Sequence, residues 1–565
     1  MKPALFYVPE AYSTGGAKLM GRNAAGESFL RGFLAHSRSS EFLAVVHEPA
    51  NGAEFSAAVR AAGRQEPVQV IDWPGIGALA GRGPLFHPDP GLAPYAWQRA
   101  MHGHGAWSLT GITHTLSSHW AMDAVVDLLA APVQPWDAVI CTSRAGQRVV
   151  AELLQRQADY LRDRFKAQQI VLPQLPLIPL GIHTQDFQFS AAQRIAARTS
   201  VGADADTLVV LFAGRLSFHA KAHPLAMYQA IEQAARDLPA GQRILLVEFG
   251  QYASEPGARA FAEAARLACP TVTVRQLDGR QPENRAIAWA CADVFCSLAD
   301  NFQETFGITP LEAMAAGLPV VVSDWDGYRD TVRDGSDGFR IPTLMPQPGL
   351  GRDLAWRHAS GADNFDRYCG HTCALIAVDV GAAARAFSRL FASAELRARM
   401  GAAGRQRACE SFDWATIIPR YESLWESQEE LRKRQAGSVR RLANPCPARM
   451  DPFRTFAGYT TQTLTPATLL ALVGSDATTS AQRVAELRKL AMVGYAERIL
   501  PSEDEIRWVL ARAVTGPRPA AELVQGIPES RRAAVFRSLA WLTKLGVLTA
   551  AETSPGGGAV PLETS

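Results

Sequence analysis

Through roughly the first 430 residues, short apolar runs alternate with helix-length amphipathic segments, the pattern of a parallel sheet wound by helices on both faces. Runs at 4–8, 42–46, 68–71, 111–113 and 138–142 read as the strands of one sheet. Residues 84–94, rich in proline, read as an irregular loop, and an amphipathic helix is expected from about Ala24 to His36. A second series of strands, at 208–212, 244–249, 271–274, 294–298 and 320–322, follows an extended stretch at 178–182, so a domain boundary is expected between about 181 and 200. A helix is expected over 412–431. Beyond it, Arg432-Lys433-Arg434 and Arg440-Arg441, broken by Gly437, Pro445 and Pro447, read as a polar linker or a basic helix end. The expected domains are therefore 1–185 and 186–430, a linker at 431–450, a mainly helical module at 451–555 and a flexible tail at 556–565.

The densest signal lies between Asp300 and Ser323. Thr309 reads as a helix N-cap, Pro310 as the first helical residue and Glu312 as the third, which makes Thr-Pro-Leu-Glu a capping box. Gly317 suits the left-handed position past the helix end, Pro319 prevents resumption, and Val320–Val322 suits a strand buried on both faces. Before the cap, Phe306-Gly307-Ile308 sets a flexible backbone at the positive end of a helix dipole, which attracts phosphate. Glu304, just upstream, can accept hydrogen bonds from sugar hydroxyls.

Two further places suit an anionic ligand. Gly15 and Gly16 follow the first strand, where open α/β sheets bind their ligands, although neither a dinucleotide nor a Walker fingerprint is present. Arg215 and Lys221 follow the strand at 208–212, and a guanidinium fork with a compact ammonium suits a diphosphate. His114 stands at the end of the 111–113 strand; histidines there are more often structural than catalytic, yet strand ends line the crevice.

These residues resemble the retaining family 4 glycosyltransferases, whose signature is two glutamates separated by seven residues: here Glu304 and Glu312, followed by Ala-Met-Ala-Ala-Gly-Leu-Pro-Val-Val. Gly15-Gly16, Ile112-Thr113-His114, Gly214-Arg215-Leu216 with Lys221, and Gly338-Phe339 are similar to further elements of the family. The resemblance implies a GT-B fold, two facing Rossmann-like domains with parallel sheets, and a nucleotide-diphosphate sugar as donor. It implies His114, Arg215, Lys221 and Glu304 as catalytic residues, with Gly15, Gly16, Phe306, Gly307, Ile308, Thr309 and Glu312 around the donor. It implies no metal or cofactor, because cationic side chains face the leaving diphosphate. The acceptor, whether glycan, lipid-linked or protein, is left open. A glycoside phosphorylase on the same fold, or a non-catalytic adaptor, are the alternatives. The segment 346–373 departs from the family as a loop-rich insertion.

Charge and cysteine usage narrow the partners. A net charge of +2 over 565 residues gives no strong field for nucleic acid. The eight cysteines are scattered, as expected of reduced thiols; Cys369, His371 and Cys373, with His358 upstream, read as loop residues rather than a zinc site. No apolar stretch reaches the roughly 18 residues of a membrane span, so a cytoplasmic protein is expected, with peripheral attachment to the inner face of a membrane as the variant. Helices at 503–513, 520–525 and 529–545 before a strand at 547–549 follow the order of a winged helix. Arg531, Arg532, Arg537 and Lys544 could face DNA, but the 12 basic and 11 acidic residues from Asp451 onward argue for a protein partner or a structural role instead.

Overall fold

The computed structural model describes residues 2–13, 21–440 and 442–551. Gly15 and Gly16, with the expected tail at 556–565, lie outside the described residues. The chain falls into two compact units, one up to Cys446 and the other from Pro447.

The first unit holds two six-stranded sheets. Strands β1 (Ala4–Phe6), β2 (Phe42–Val46), β3 (Val68–Asp72), β4 (Leu85–Phe86), β5 (Leu109–Ile112) and β6 (Ala138–Ile140) lie in the order β3-β2-β1-β4-β5-β6, all parallel. Strands β7 (Thr207–Ala213), β8 (Arg243–Gly250), β9 (Thr273–Asp278), β10 (Val294–Ser297), β11 (Val320–Ser323) and β12 (Gly338–Ile341) lie in the order β12-β11-β10-β7-β8-β9, again all parallel. Counted from its own first strand, each sheet has the order 3-2-1-4-5-6 of a doubly wound fold. The architecture is the expected GT-B pair of Rossmann-like domains. All seven residues of β7 are buried, which is what helices on both faces require of an apolar run.

Two stretches differ from the sequence reading. The proline-rich loop expected at 84–94 contains β4, whose Leu85 and Phe86 are buried between β1 and β5. Two residues are too few to show a period, and only the flanking strands make them a strand. The insertion at 346–373 is helical rather than loop-rich, with helices Arg352–Ala359 and Phe365–Cys373. Gly361, at φ +75°, follows the end of the first, and Asn364 caps the second by accepting from the Arg367 amide at 2.9 Å.

The helix Trp414–Gln435 returns from the second domain to the first. Where the chain leaves and re-enters, the Ile182 amide donates to the Phe412 carbonyl at 2.8 Å and the Trp414 amide to the Ile182 carbonyl at 3.1 Å. The Trp414 ring lies against Gly32 and Gly181, where an added Cβ would approach it to 2.4 and 2.5 Å, and its Nε1 donates to Ser28 Oγ at 2.8 Å. Further along, buried Gln428 donates to the carbonyls of Leu109 and Trp136 and accepts from Thr110, which fastens the helix to the first sheet.

The second unit has a three-stranded sheet, with Leu469–Leu472 between Arg518–Pro519 and Leu548–Ala550, packed by helices Ala477–Arg488, Glu503–Ala513 and Glu529–Lys544. Its core is built from Leu470, Val484, Leu510, Leu539 and Leu548. Arg531 forks onto Glu505 with two 2.9 Å bonds, so that guanidinium is engaged inside the module. Among the described residues, no helix is long and apolar enough to cross a membrane.

Replacing Trp414 with Ala removes the ring that separates Gly32 from Gly181. A loss of about 3–5 kcal/mol is expected, read as a lower urea midpoint with little change in slope.

Candidate functional site

In an open α/β sheet, ligands bind beyond the carboxyl ends of the two central strands whose connections run in opposite directions. In the second domain these strands are β7 and β10, and they lead into loops 214–223 and 298–307. The first loop carries Arg215 and Lys221, the second Glu304, Phe306 and Gly307.

The helix after β10 spans Ile308–Ala315, and its N-cap is Gly307 at φ +79°. The expected start at Pro310, capped by Thr309 in a box with Glu312, is therefore corrected: the helix begins two residues earlier, at Ile308. A Cβ on Gly307 would lie 1.9 Å from the Tyr328 ring, so the left-handed glycine and the buried ring together set where the helix begins. Thr309 Oγ1 is buried with no hydrogen-bond partner, and Glu312 accepts from Arg285 at 3.0 Å instead of closing a box. Burial raises the Glu312 carboxyl above its ordinary range, and Arg285 only partly offsets this. Phe306 packs tightly under Gly327, whose Cβ position is 2.4 Å from the Phe306 Cα.

Lys221 Nζ and Glu304 form an ion pair with side-chain exposures of 17% and 14%. Burial works against both charges, but the partners outweigh it. Lys221 is held above its ordinary value, while Lys221 and the Thr305 and Phe306 amides hold Glu304 below its own. Both groups are charged at neutral pH. Arg215 donates to the Gln303 side chain at 3.0 Å and to the Ala220 carbonyl at 3.3 Å. The structure thus ties the two loops together through Arg215–Gln303 and Lys221–Glu304. Burial pushes the Tyr328 hydroxyl up to about 12, with Lys221 drawing it the other way, and Ser297 lies 2.8 Å from it.

From the first domain, His114 Nε2 lies 2.8 Å from the Pro88 carbonyl, so this nitrogen carries the hydrogen. Burial lowers its pKa and keeps the ring neutral. The neighbouring Thr115 hydroxyl reaches the Gln303 carbonyl at 3.5 Å, which links the His114 segment to the Glu304 loop.

Sequence reasoning missed two other contributors. Arg285 lies in a helix well before Glu312 and no spacing marks it. Asp326 has a left-handed φ of +43°, Oδ1 3.4 Å from Ser143 Oγ, and Oδ2 buried without a partner. Burial, with the charge of Glu304, pushes its carboxyl up to about 8. Arg144 beside Ser143 binds Asp330 through its amide at 2.7 Å and its guanidinium at 2.8 Å, so the loop after β11 is held against the first domain.

In the insertion, burial raises the Cys369 and Cys373 thiols to about 12 and about 11, and the Cys373 thiol donates to the His219 carbonyl. Among the described residues, no group of three or more His, Cys, Asp or Glu side chains could hold a metal ion.

Comparison with known proteins finds similarity over part of the chain. Residues 193–346 match the family model described as glycosyl transferases group 1. A D-inositol 3-phosphate glycosyltransferase of Rhodococcus erythropolis is 29% identical over 190 residues, 32% of this chain and 42% of that protein. A phosphatidyl-myo-inositol mannosyltransferase of Mycobacterium tuberculosis is 32% identical over 169 residues, 30% of this chain and 40% of that protein. The chain thus spans about two fifths of the length of the curated relatives it matches. Among solved structures, Anabaena HepE in complex with UDP superposes over 76% of this chain and 100% of its own, with 18% identity and a TM-score of 0.49.

Lys221→Met leaves the Glu304 carboxylate buried without its counter-ion and is expected to cost about 3–5 kcal/mol. Adding Glu304→Gln should restore most of the loss, as a double-mutant cycle in urea would read. Glu304 titrates below its ordinary 4.5, so its stabilising share is complete above that pH and is lost as pH falls through the folded value.

Proposed function

We propose that this protein is a retaining glycosyltransferase that moves a sugar from a nucleotide-diphosphate donor to an acceptor hydroxyl. The observation that carries the reading is the joining, beyond β7 and β10, of Arg215, Lys221, Glu304 and the Gly307-capped helix. The match to glycosyl transferases group 1 over 193–346 spans these same residues.

Cleaving the bond between the anomeric carbon and the diphosphate oxygen leaves positive charge on the sugar and negative charge on the departing group. Arg215, Lys221 and the first-turn amides after Gly307 are the groups that meet that negative charge. In the ligand-free arrangement Lys221 is neutralised by Glu304. A bound diphosphate competes for the ammonium and frees Glu304 to accept from hydroxyls of the transferred sugar. The acceptor oxygen attacks the face the diphosphate leaves, and its proton passes to the departing phosphate oxygen, which conserves the anomeric configuration. Neutral His114 serves as a hydrogen-bonding wall on the first-domain side. Cationic side chains take the part that a metal would otherwise play, so no cofactor is called for.

Screening UDP-, GDP- and ADP-sugars by thermal shift tests donor binding. A donor at a hundred times its dissociation constant should add about 2.7 kcal/mol, and no stabilisation by any of them would remove the reading. With the donor identified, Arg215→Ala should lower turnover on the order of a hundredfold, about 3 kcal/mol of transition-state stabilisation.

A further inference from the structure

The insertion and the Lys221 loop line an open cavity of about 460 Å³, within the range of volumes that hold small molecules. Its two walls differ in chemistry. One is made of rings from the Lys221 loop: Phe218, which is 38% exposed, stands edge-on to His219 at 5.2 Å and to His223 at 6.2 Å. The other is the helix Phe365–Cys373, which contributes Asp366, Arg367 and His371. Asp366 and Arg367 are exposed, and no ion pair engages either among the described residues. His371 Nδ1 lies 3.0 Å from Asp363, whose carboxylate is also forked by Arg357, so the other ring nitrogen of His371 is left to accept.

A ligand that fits has an apolar face for the rings and an edge of groups that both donate and accept. The carboxylate of Asp366 and the guanidinium of Arg367 offer an acceptor and a donor side by side, with charges that cancel. This combination suits vicinal hydroxyls better than phosphate. A pyranose, with its C–H face and hydroxyl edge, has that shape.

The position relates the cavity to the reaction site. His219 is two residues from Lys221, and its carbonyl is held by Asn301 at 2.7 Å, in the loop that carries Glu304. On its other flank the insertion reaches the first domain: His358 stacks on His119 of that domain at 3.6 Å and, within the insertion, on Tyr368 at 4.1 Å. The cavity therefore lies between the donor loop and a bridge to the acceptor-side domain. We propose that it is a saccharide subsite, holding a sugar unit of the acceptor that lies beyond the one carrying the attacking hydroxyl. The assignment of that sugar to the acceptor rests on the transfer reading above.

The test uses the full chain saturated with the nucleoside diphosphate of whichever donor the thermal-shift screen identifies. Saturation-transfer NMR with D-glucose, D-mannose, D-galactose and N-acetyl-D-glucosamine as probes, each at millimolar concentration, should show transfer to at least one sugar. Asp366→Ala and Arg367→Ala, both on the exposed face of the insertion helix, should each reduce that signal at least fivefold, while the thermal stabilisation by the donor stays as in the wild type. Absence of signal from all four sugars, or signal that survives both substitutions, overturns the subsite. Failure of every nucleotide sugar to stabilise the wild type overturns the transfer reading, and the acceptor assignment with it, whatever the cavity binds.

Discussion

A chain that leaves one sheet domain at Gly181 has to be brought back to it in register, and the Trp414 indole is the wedge that does so. Two glycines, Gly32 and Gly181, make room for the ring, and backbone hydrogen bonds on either side of Ile182 join the outgoing and returning segments. Any side chain at either glycine would collide with the indole. Burial of a large aromatic surface here, with Gln428 satisfied on three sides further along the helix, fixes the returning helix on the first sheet. The carboxyl ends of β7 and β10 depend on this seam for their placement relative to the His114 segment.

Three acids of the second domain are largely shielded from water, with side-chain exposures of 14% for Glu304, 16% for Glu312 and 18% for Asp330, and each meets a base. Lys221 with Glu304, Arg285 with Glu312 and Arg144 with Asp330 each place an acid of the second domain beside a base. Asp326 differs: its unpartnered oxygen and left-handed backbone are kept at a cost that the surrounding contacts must offset. Lys221 and Glu304 hold each other ionised at neutral pH, and an incoming anion has to compete for the ammonium. Such a site can exchange one counter-ion for another without creating an isolated buried charge.

The insertion lies outside the two doubly wound sheets and packs onto them. Its helices carry buried thiols and a stacked His358 toward the protein, and leave Asp366 and Arg367 toward the cavity. The module from Pro447 onward has its own core around Leu510 and Leu539, and its Arg531 is neutralised internally by Glu505.

Continuous apolar runs such as 208–212 and 320–322 were legible as strands because burial on both faces demands apolar residues at every position, and a helix after the 304–307 loop was legible because turn and helix chemistry is local. Two-residue β4 was not, since neighbouring strands alone define it, and the Thr309 cap failed because contact with Tyr328, 21 positions away, set the turn at Gly307. The same holds for the pairing of Lys221 with Glu304, for Arg285 against Glu312 and for Asp326 against Ser143. Periodicity, capping and composition are properties of neighbours along the chain and make the two wound domains legible, while the candidate residues were drawn chiefly from short motifs and the family they resemble. Which charge meets which, and which oxygen is left without a partner, depends on side chains brought together from far apart in the chain, and that was settled only when the domains packed.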